Sequence, residues 1–243
     1  DRPKKMNGFT PFMFEEMAKA FTEYENESNA LCAIVYTSGD NFCAGMDLNK
    51  MKKLLKKGDH SYIKNRKLID PLGLNKPVRT KPLIVAVKGF TFTYGLELML
   101  SSDIALASED TTFAMLEVKR GLLMTGGATL RFVQRSGWSN AMKYLLTGIK
   151  FDSKEALRMN LVQEIVDKDY LFTRAVELAG HICQSSPLAI KEVIKNSRLG
   201  QIDVSKAIKK FNSVQNKLIK SKDFKEGLKS FEQKREPRFK IWD

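Results

Sequence analysis

Residues 82–107 read PLIVAVKGFTFTYGLELMLSSDIALA. The opening run, Pro82 to Val87, is apolar and β-branched at strand length, the pattern of a buried strand. Gly89 supplies a turn, Leu96 to Ser101 begins a helix, and Ile104 to Ala107 is a further strand. From Pro82 to Leu100 the apolar stretch has nearly the length of a membrane span. Lys88, Glu97 and Gly89 interrupt it, so it reads as strand, turn and helix.

Toward the N-terminus, Ala30 to Tyr36 is another short apolar run, followed by the turn residues Thr37-Ser38-Gly39-Asp40. Thr10-Pro11 is an N-cap with proline at the first helical position. Phe14, Met17, Ala18 and Phe21 recur at helical spacing behind it, which predicts an amphipathic helix over 11–26. Residues 47–76 are lysine-rich and read as a helical excursion. From about Asn140 helix follows helix, most clearly Ser153–Met159, Leu171–Ser185 and Ser205–Lys234. Strand-helix alternation first and helices last imply an α/β core with a helical C-terminal appendage.

The chain has 243 residues, 43% of them hydrophobic, a globular share that excludes disorder as the main state. Three cysteines (Cys32, Cys43, Cys183) argue against a disulfide scaffold and for a reducing compartment. Two histidines, His60 and His181, leave little for a zinc site or a Ser-His-Asp triad. No metal is expected. No secretory leader opens the chain, which starts at Asp1 without a Met, and the reading is a soluble cytoplasmic protein. The net charge of +13 points to anionic partners. Residues 200–243 hold twelve Lys/Arg against six Asp/Glu and so supply +6 of it. A solvated helix face explains that excess. A nucleic-acid stripe would bring more aromatic interleaving and a recognition motif, so no nucleic acid is expected.

Three stretches carry chemical interest. Asn41-Phe42-Cys43-Ala44-Gly45-Met46-Asp47-Leu48 is a small-residue turn after a strand, where a ligand can approach free backbone N–H groups. An ordinary loop ending would look the same, and Cys43, with no histidine nearby, reads as packing. Gly89 through Glu97 is a strand-to-helix junction. If its helix begins near Thr93, the Tyr94 N–H is an unpaired donor and Glu97 lies in the first turn among Leu96, Leu98 and Met99. Those neighbours would desolvate the carboxylate, although an acid merely favouring a helix start is the bland alternative. Phe113 to Gly121 places Glu117 in another apolar run, where either a reaction or an ion pair with Lys119 or Arg120 would account for it.

Taken in order, these stretches resemble the enoyl-CoA hydratase/isomerase (crotonase) superfamily. Residues 1–10 are similar to the family's opening, 41–48 to its first oxyanion segment, 81–103 to its second, and 113–132 to its second acid and following Gly-rich helix start. Leu146-Thr147-Gly148, Asn160-Leu161-Val162, Ser185-Ser186-Pro187-Leu188 and Phe231-Glu232-Gln233-Lys234-Arg235 match later landmarks. The resemblance implies an α/β spiral of ββα units over 1–185 and a C-terminal helical oligomerisation region over 186–243. It implies an acyl-CoA thioester as substrate, with no cofactor beyond the coenzyme A that the substrate carries. Carried over by position, the Ala44 and Tyr94 N–H groups form the oxyanion hole, and Glu97 and Glu117 are the catalytic pair. Lys5, Gly45, Met46 and Asp47 bind substrate, as do Phe231 and Lys234 from a neighbouring subunit.

Those parts suit hydration of an α,β-double bond, which needs a base for water, an acid for the α-carbon and donors for the enolate oxygen. An enoyl-CoA isomerase using Glu117 alone is the nearest alternative. A non-catalytic basic binding or assembly protein on the same fold is the other. Tyr94 stands where the family most often has glycine, and its phenol would narrow the pocket. Leu116 and Met124 replace common prolines, and Lys88 a frequent Asn or His. Ala207, Ile208, Phe211, Val214, Leu218, Phe224, Leu228 and Phe231 exceed what a solvated tail requires, so a homotrimer or dimer of trimers is expected.

Overall fold

The computed structural model describes residues 1–56 and 62–239. A 3-10 turn at Pro3–Lys5 leads into helix α1 (Pro11–Asn26), whose start Thr10 caps by accepting a hydrogen bond from the Met13 N–H. Phe14, Ala18 and Phe21 form its buried stripe. Strand β1 (Ala33–Val35) and helix α2 (Leu48–Lys56) follow, then β2 (Leu83–Val87), β3 (Phe90–Phe92) and α3 (Tyr94–Leu100). The next pair, β4 (Ile104–Ser108) and β5 (Thr112–Ala114), runs through a 3-10 turn at Glu117–Arg120 into α4 (Ala128–Ser136) and α5 (Trp138–Thr147). Next come β6 (Phe151–Asp152), α6 (Ser153–Arg158), β7 (Glu164–Val166) and α7 (Leu171–Cys183). Three helices end the chain: α8 (Pro187–Gly200), α9 (Val204–Ile219) and α10 (Lys222–Glu232).

Two sheets result. One is parallel, in the order β1-β2-β4-β7; the other pairs β3 with β5 in parallel and β5 with β6 antiparallel. Each successive pair sends one strand to each sheet and then a helix, so β2-β3-α3 and β4-β5-α4 are turns of one spiral. This is the expected α/β architecture. All five residues of β2 are buried. Leu83, Val85 and Val87 join the main core while Ile84 and Ala86 join a second cluster with Leu106, Leu171 and Ala175, so alternate side chains serve opposite faces.

Two expectations need correction. The Ser205–Lys234 helix is two helices, because Ser221 turns extended and its hydroxyl accepts from the Phe224 N–H to cap a new start. The 47–76 excursion is helical among the described residues only over Leu48–Lys56; residues 62–80 form turns, and 57–61 lie outside the described residues.

Candidate active site

Strand β1 delivers the chain to residues 41–47, which lie against β3 through hydrogen bonds from Phe42 N to Lys88 O and from Cys43 N to Phe90 O. The backbone donors of this turn are then almost all committed. Ala44 N donates to Met6 O at 2.9 Å, Gly45 N to the Cys43 sulfur at 3.3 Å, and Asp47 N to Phe9 O at 2.8 Å. Over residues 42–47, Met46 N–H alone has no acceptor among the described residues. The expectation that Ala44 supplies an oxyanion donor is therefore corrected. Met6 adopts a left-handed conformation after the first 3-10 turn (φ 48°) and presents its carbonyl to Ala44, which leaves the donor two residues further on.

Tyr94 opens α3, and its N–H has no acceptor among the described residues. The two segments touch closely: a Cβ on Gly95 would stand 2.7 Å from the Cys43 Cβ, and one on Gly45 only 2.1 Å from Thr93 Oγ1. The Tyr94 ring is buried against Phe9 and Phe14, with centroids 4.3 and 4.7 Å away. Burial pushes the Cys43 thiol up to about 12, which leaves it a packing group.

Glu97 lies one turn into α3 and is 2% exposed. Its Oε1 accepts from the Ala128 N–H at 3.2 Å, at the start of α4. Gly126 leaves the space: a Cβ there would be 2.2 Å from Glu97 Oε2. Burial lifts the carboxyl to about 7, opposed by the Ala128 N–H, assisted by the charge of neighbouring Glu117, and opposed again by Gly126 N–H and Arg131. Glu117 begins the 3-10 turn after β5, and burial lifts it to about 7 as well. Its Oε2 is buried with no partner among the described residues. Neither Lys119 nor Arg120 pairs with it; both are exposed. Burial thus holds both carboxyls at about 7, with the charge of Glu117 adding to the rise at Glu97.

A cavity of about 360 Å3 opens beside Glu97, walled by Phe14, Met46, Tyr62, Tyr94, Glu97 and Gly126; Glu117 is not part of this wall. Asn65, Arg66 and Lys76 give it a polar rim. Arg131, which the sequence reading passed over, ties this wall together by donating to Leu72 O and Gly126 O. Its signal was present as a lone cation in an otherwise amphipathic helix start, too common to single out. Asp47 is ion-paired with Arg2 at 3.1 Å. Lys5, Phe231 and Lys234 are exposed and outside the cavity wall. Among the described residues no group of three or more His, Cys, Asp or Glu is arranged to hold a metal ion, and no helix is long and apolar enough to cross a membrane.

Comparison with known proteins gives this geometry its setting. The family model described as Enoyl-CoA hydratase/isomerase matches residues 1–241. Enoyl-CoA hydratase EchA19 of Mycobacterium tuberculosis is 33% identical over 98% of this chain and 90% of its own length. Mevalonyl-coenzyme A hydratase sidH of Aspergillus fumigatus is 30% identical over 99% of this chain and 89% of its own. Among solved structures, a probable enoyl-CoA hydratase/isomerase from Mycobacterium abscessus superimposes with a TM-score of 0.95 at 36% identity, covering 100% of this chain and 93% of the other. An enoyl-CoA hydratase from Mycobacterium tuberculosis gives 0.88 at 30% identity, covering 99% and 93%. With the spiral of ββα units, a match from end to end and relatives at these identities, the chain belongs to the enoyl-CoA hydratase/isomerase family and has the crotonase fold.

Proposed function

We propose that this protein is an enoyl-CoA hydratase. The observation that carries the reading is the pair of desolvated carboxyls, Glu97 and Glu117, both lifted to about 7, with Glu97 in the wall of a cavity that is also lined by Met46 and Tyr94, the residues with unpaired backbone N–H groups. Groups with that acidity divide one proton between them near neutral pH, so one serves as base while the other serves as acid. The Met46 and Tyr94 N–H groups receive the thioester oxygen. Glu97 takes a proton from water as the water oxygen bonds to the β-carbon. The π electrons move onto the thioester as an enolate, whose charge the two donors stabilise. Glu117 then gives its proton to the α-carbon, leaving a 3-hydroxyacyl thioester, and recovers a proton from Glu97 or solvent.

The basic surface suits the phosphates of coenzyme A. In this reading Lys5, Gly45 and Asp47 bind the carrier end, together with Phe231 and Lys234 from a neighbouring copy. The test is a panel of crotonyl-, longer 2-enoyl- and 3-enoyl-CoA followed by absorbance and mass. Loss of the conjugated absorbance with gain of one water supports hydration. Migration of a 3-enoyl double bond without water uptake would replace it with the isomerase reading, and indifference to every thioester would end both.

A further inference from the structure

We infer that Thr93 is a positioning residue that sets the separation and aim of the two unpaired backbone donors; this rests on the hydratase reading above. Three observations converge on it. Thr93 has φ 48° and ψ −115°, in left-handed territory where a β-branched residue is a genuine outlier. A conformation of that kind persists only where the surroundings over-determine it. Its backbone is pinned, since Thr93 N donates to Ala114 O at 2.9 Å. Its side chain is wedged: a Cβ on Gly45 would lie 2.1 Å from Thr93 Oγ1, 3.3 Å from its Cβ and 3.6 Å from its Cγ2.

The hydroxyl that does this wedging has no hydrogen-bond partner among the described residues, so it is not there to satisfy the protein's own polar groups. What it separates is specific. Met46 directly follows Gly45, and Tyr94 directly follows Thr93, so the contact between Thr93 and Gly45 joins the two residues that immediately precede the free N–H groups. Glycine would hold the same backbone angles without strain. It would also leave the gap at Gly45 unfilled and let the two segments close or rotate. Threonine gives up conformational ease and fills that gap, with Oγ1 as the atom of contact.

The experiment compares Thr93→Gly, Thr93→Ala and Thr93→Ser with the wild type by hydration kinetics, thermal melting, and the absorbance of a bound 2,4-dienoyl-CoA, which moves to the red when its carbonyl is polarised. Misplacing a donor by about 1 Å costs up to ~10²-fold, so kcat is expected to fall ~10-fold or more in Thr93→Gly and Thr93→Ala. KM should stay within about two-fold and the red shift should shrink, because ground-state binding does not depend on the donors as the transition state does. Thr93→Ser keeps Oγ1 and should recover most of the loss. Melting of Thr93→Gly should not drop, which separates lost positioning from lost fold; should glycine fail to fold, Thr93→Ala carries the same comparison. If Thr93→Gly or Thr93→Ala keeps wild-type kcat and red shift, or if serine falls as far as glycine, the inference is overturned. A wild type that neither hydrates an enoyl-CoA nor shifts the dienoyl absorbance would instead sink the hydratase reading on which it stands.

Discussion

Replacing Gly126 with alanine tests the placement of Glu97 without touching the carboxylate itself. The new methyl would start 2.2 Å from Glu97 Oε2, 2.5 Å from Glu97 Cδ and 2.9 Å from Leu72 Cδ1. Non-bonded heavy atoms settle at about 3.5 Å, so the carboxylate must retreat by about 1.3 Å. Gly126 does not need a positive φ, so the backbone tolerates alanine and the cost falls on the side chains it meets. The retreat breaks the Ala128 N–H bond to Oε1, one of the influences that hold the Glu97 carboxyl down. Its pKa therefore moves above 7, and less of it is ionised at neutral pH. A displacement near 1 Å in a reacting group costs on the order of 10² in rate, which sets the expected loss of kcat. Steady-state hydration of crotonyl-CoA from pH 5.5 to 9 should show that loss, with the acidic limb of the profile moved upward. Gly180→Ala is the control: nothing lies within 4 Å of its Cβ, it sits inside α7, and it should gain about 0.5–1 kcal/mol of stability at unchanged activity. A folded Gly126→Ala protein with the wild-type rate and pH profile would refute the assignment of Glu97 as a reacting group.

The two acids should fail differently. Glu97→Gln and Glu117→Gln are each expected to lose ~10²-fold or more in hydration, but only Glu97→Gln should keep α-proton exchange in deuterated water. Both carboxyls are raised in the folded protein from 4.5 to about 7, so their neutral forms favour the fold below pH 4.5 and that advantage disappears as pH rises through 7. Each glutamine variant should therefore melt higher than wild type at pH 8 and no higher at pH 4.5; equal melting at both would count against desolvated carboxyls. Met46→Pro removes the unpaired donor and should cost ~10²–10³ in kcat with circular dichroism retained, whereas full activity in a folded variant would reassign the oxyanion donor. Phe231 is 82% exposed, and Ile208, Phe211, Phe224 and Leu228 are exposed with it on the last two helices, so sedimentation should give a trimer or pair of trimers and a monomer would reject this.

What was legible in the sequence was local. Thr10-Pro11 announced α1 because a cap and a fixed φ act within one turn, and 83–87 announced a core strand because every residue in it is apolar. Glu97 and Glu117 stood out as charges in apolar runs, and burial is what perturbs both. The free donor of residues 42–47 was not legible: which N–H remains unpaired depends on the Met6 carbonyl, brought up by a turn far away in the chain. Nor could spacing exclude an ion pair between Glu117 and Lys119 or Arg120; the 3-10 turn decides it by carrying the cations outward. Ser221 was hidden by the continuing lysine-apolar pattern on either side, since a serine caps or rides along in a helix with little difference in sequence.

The unpaired donors on Met46 and Tyr94 belong to the main chain, and this has a consequence for inheritance. No codon change except one to proline deletes a backbone N–H, so whatever those donors do survives nearly any substitution at either position. The side chains there are under no such protection. Tyr94 spends its ring on Phe9 and Phe14, and Met46 and Tyr94 both help to wall the cavity. Drift at these two codons can therefore reshape what the cavity admits while the unpaired donor pair passes unchanged from one descendant to the next.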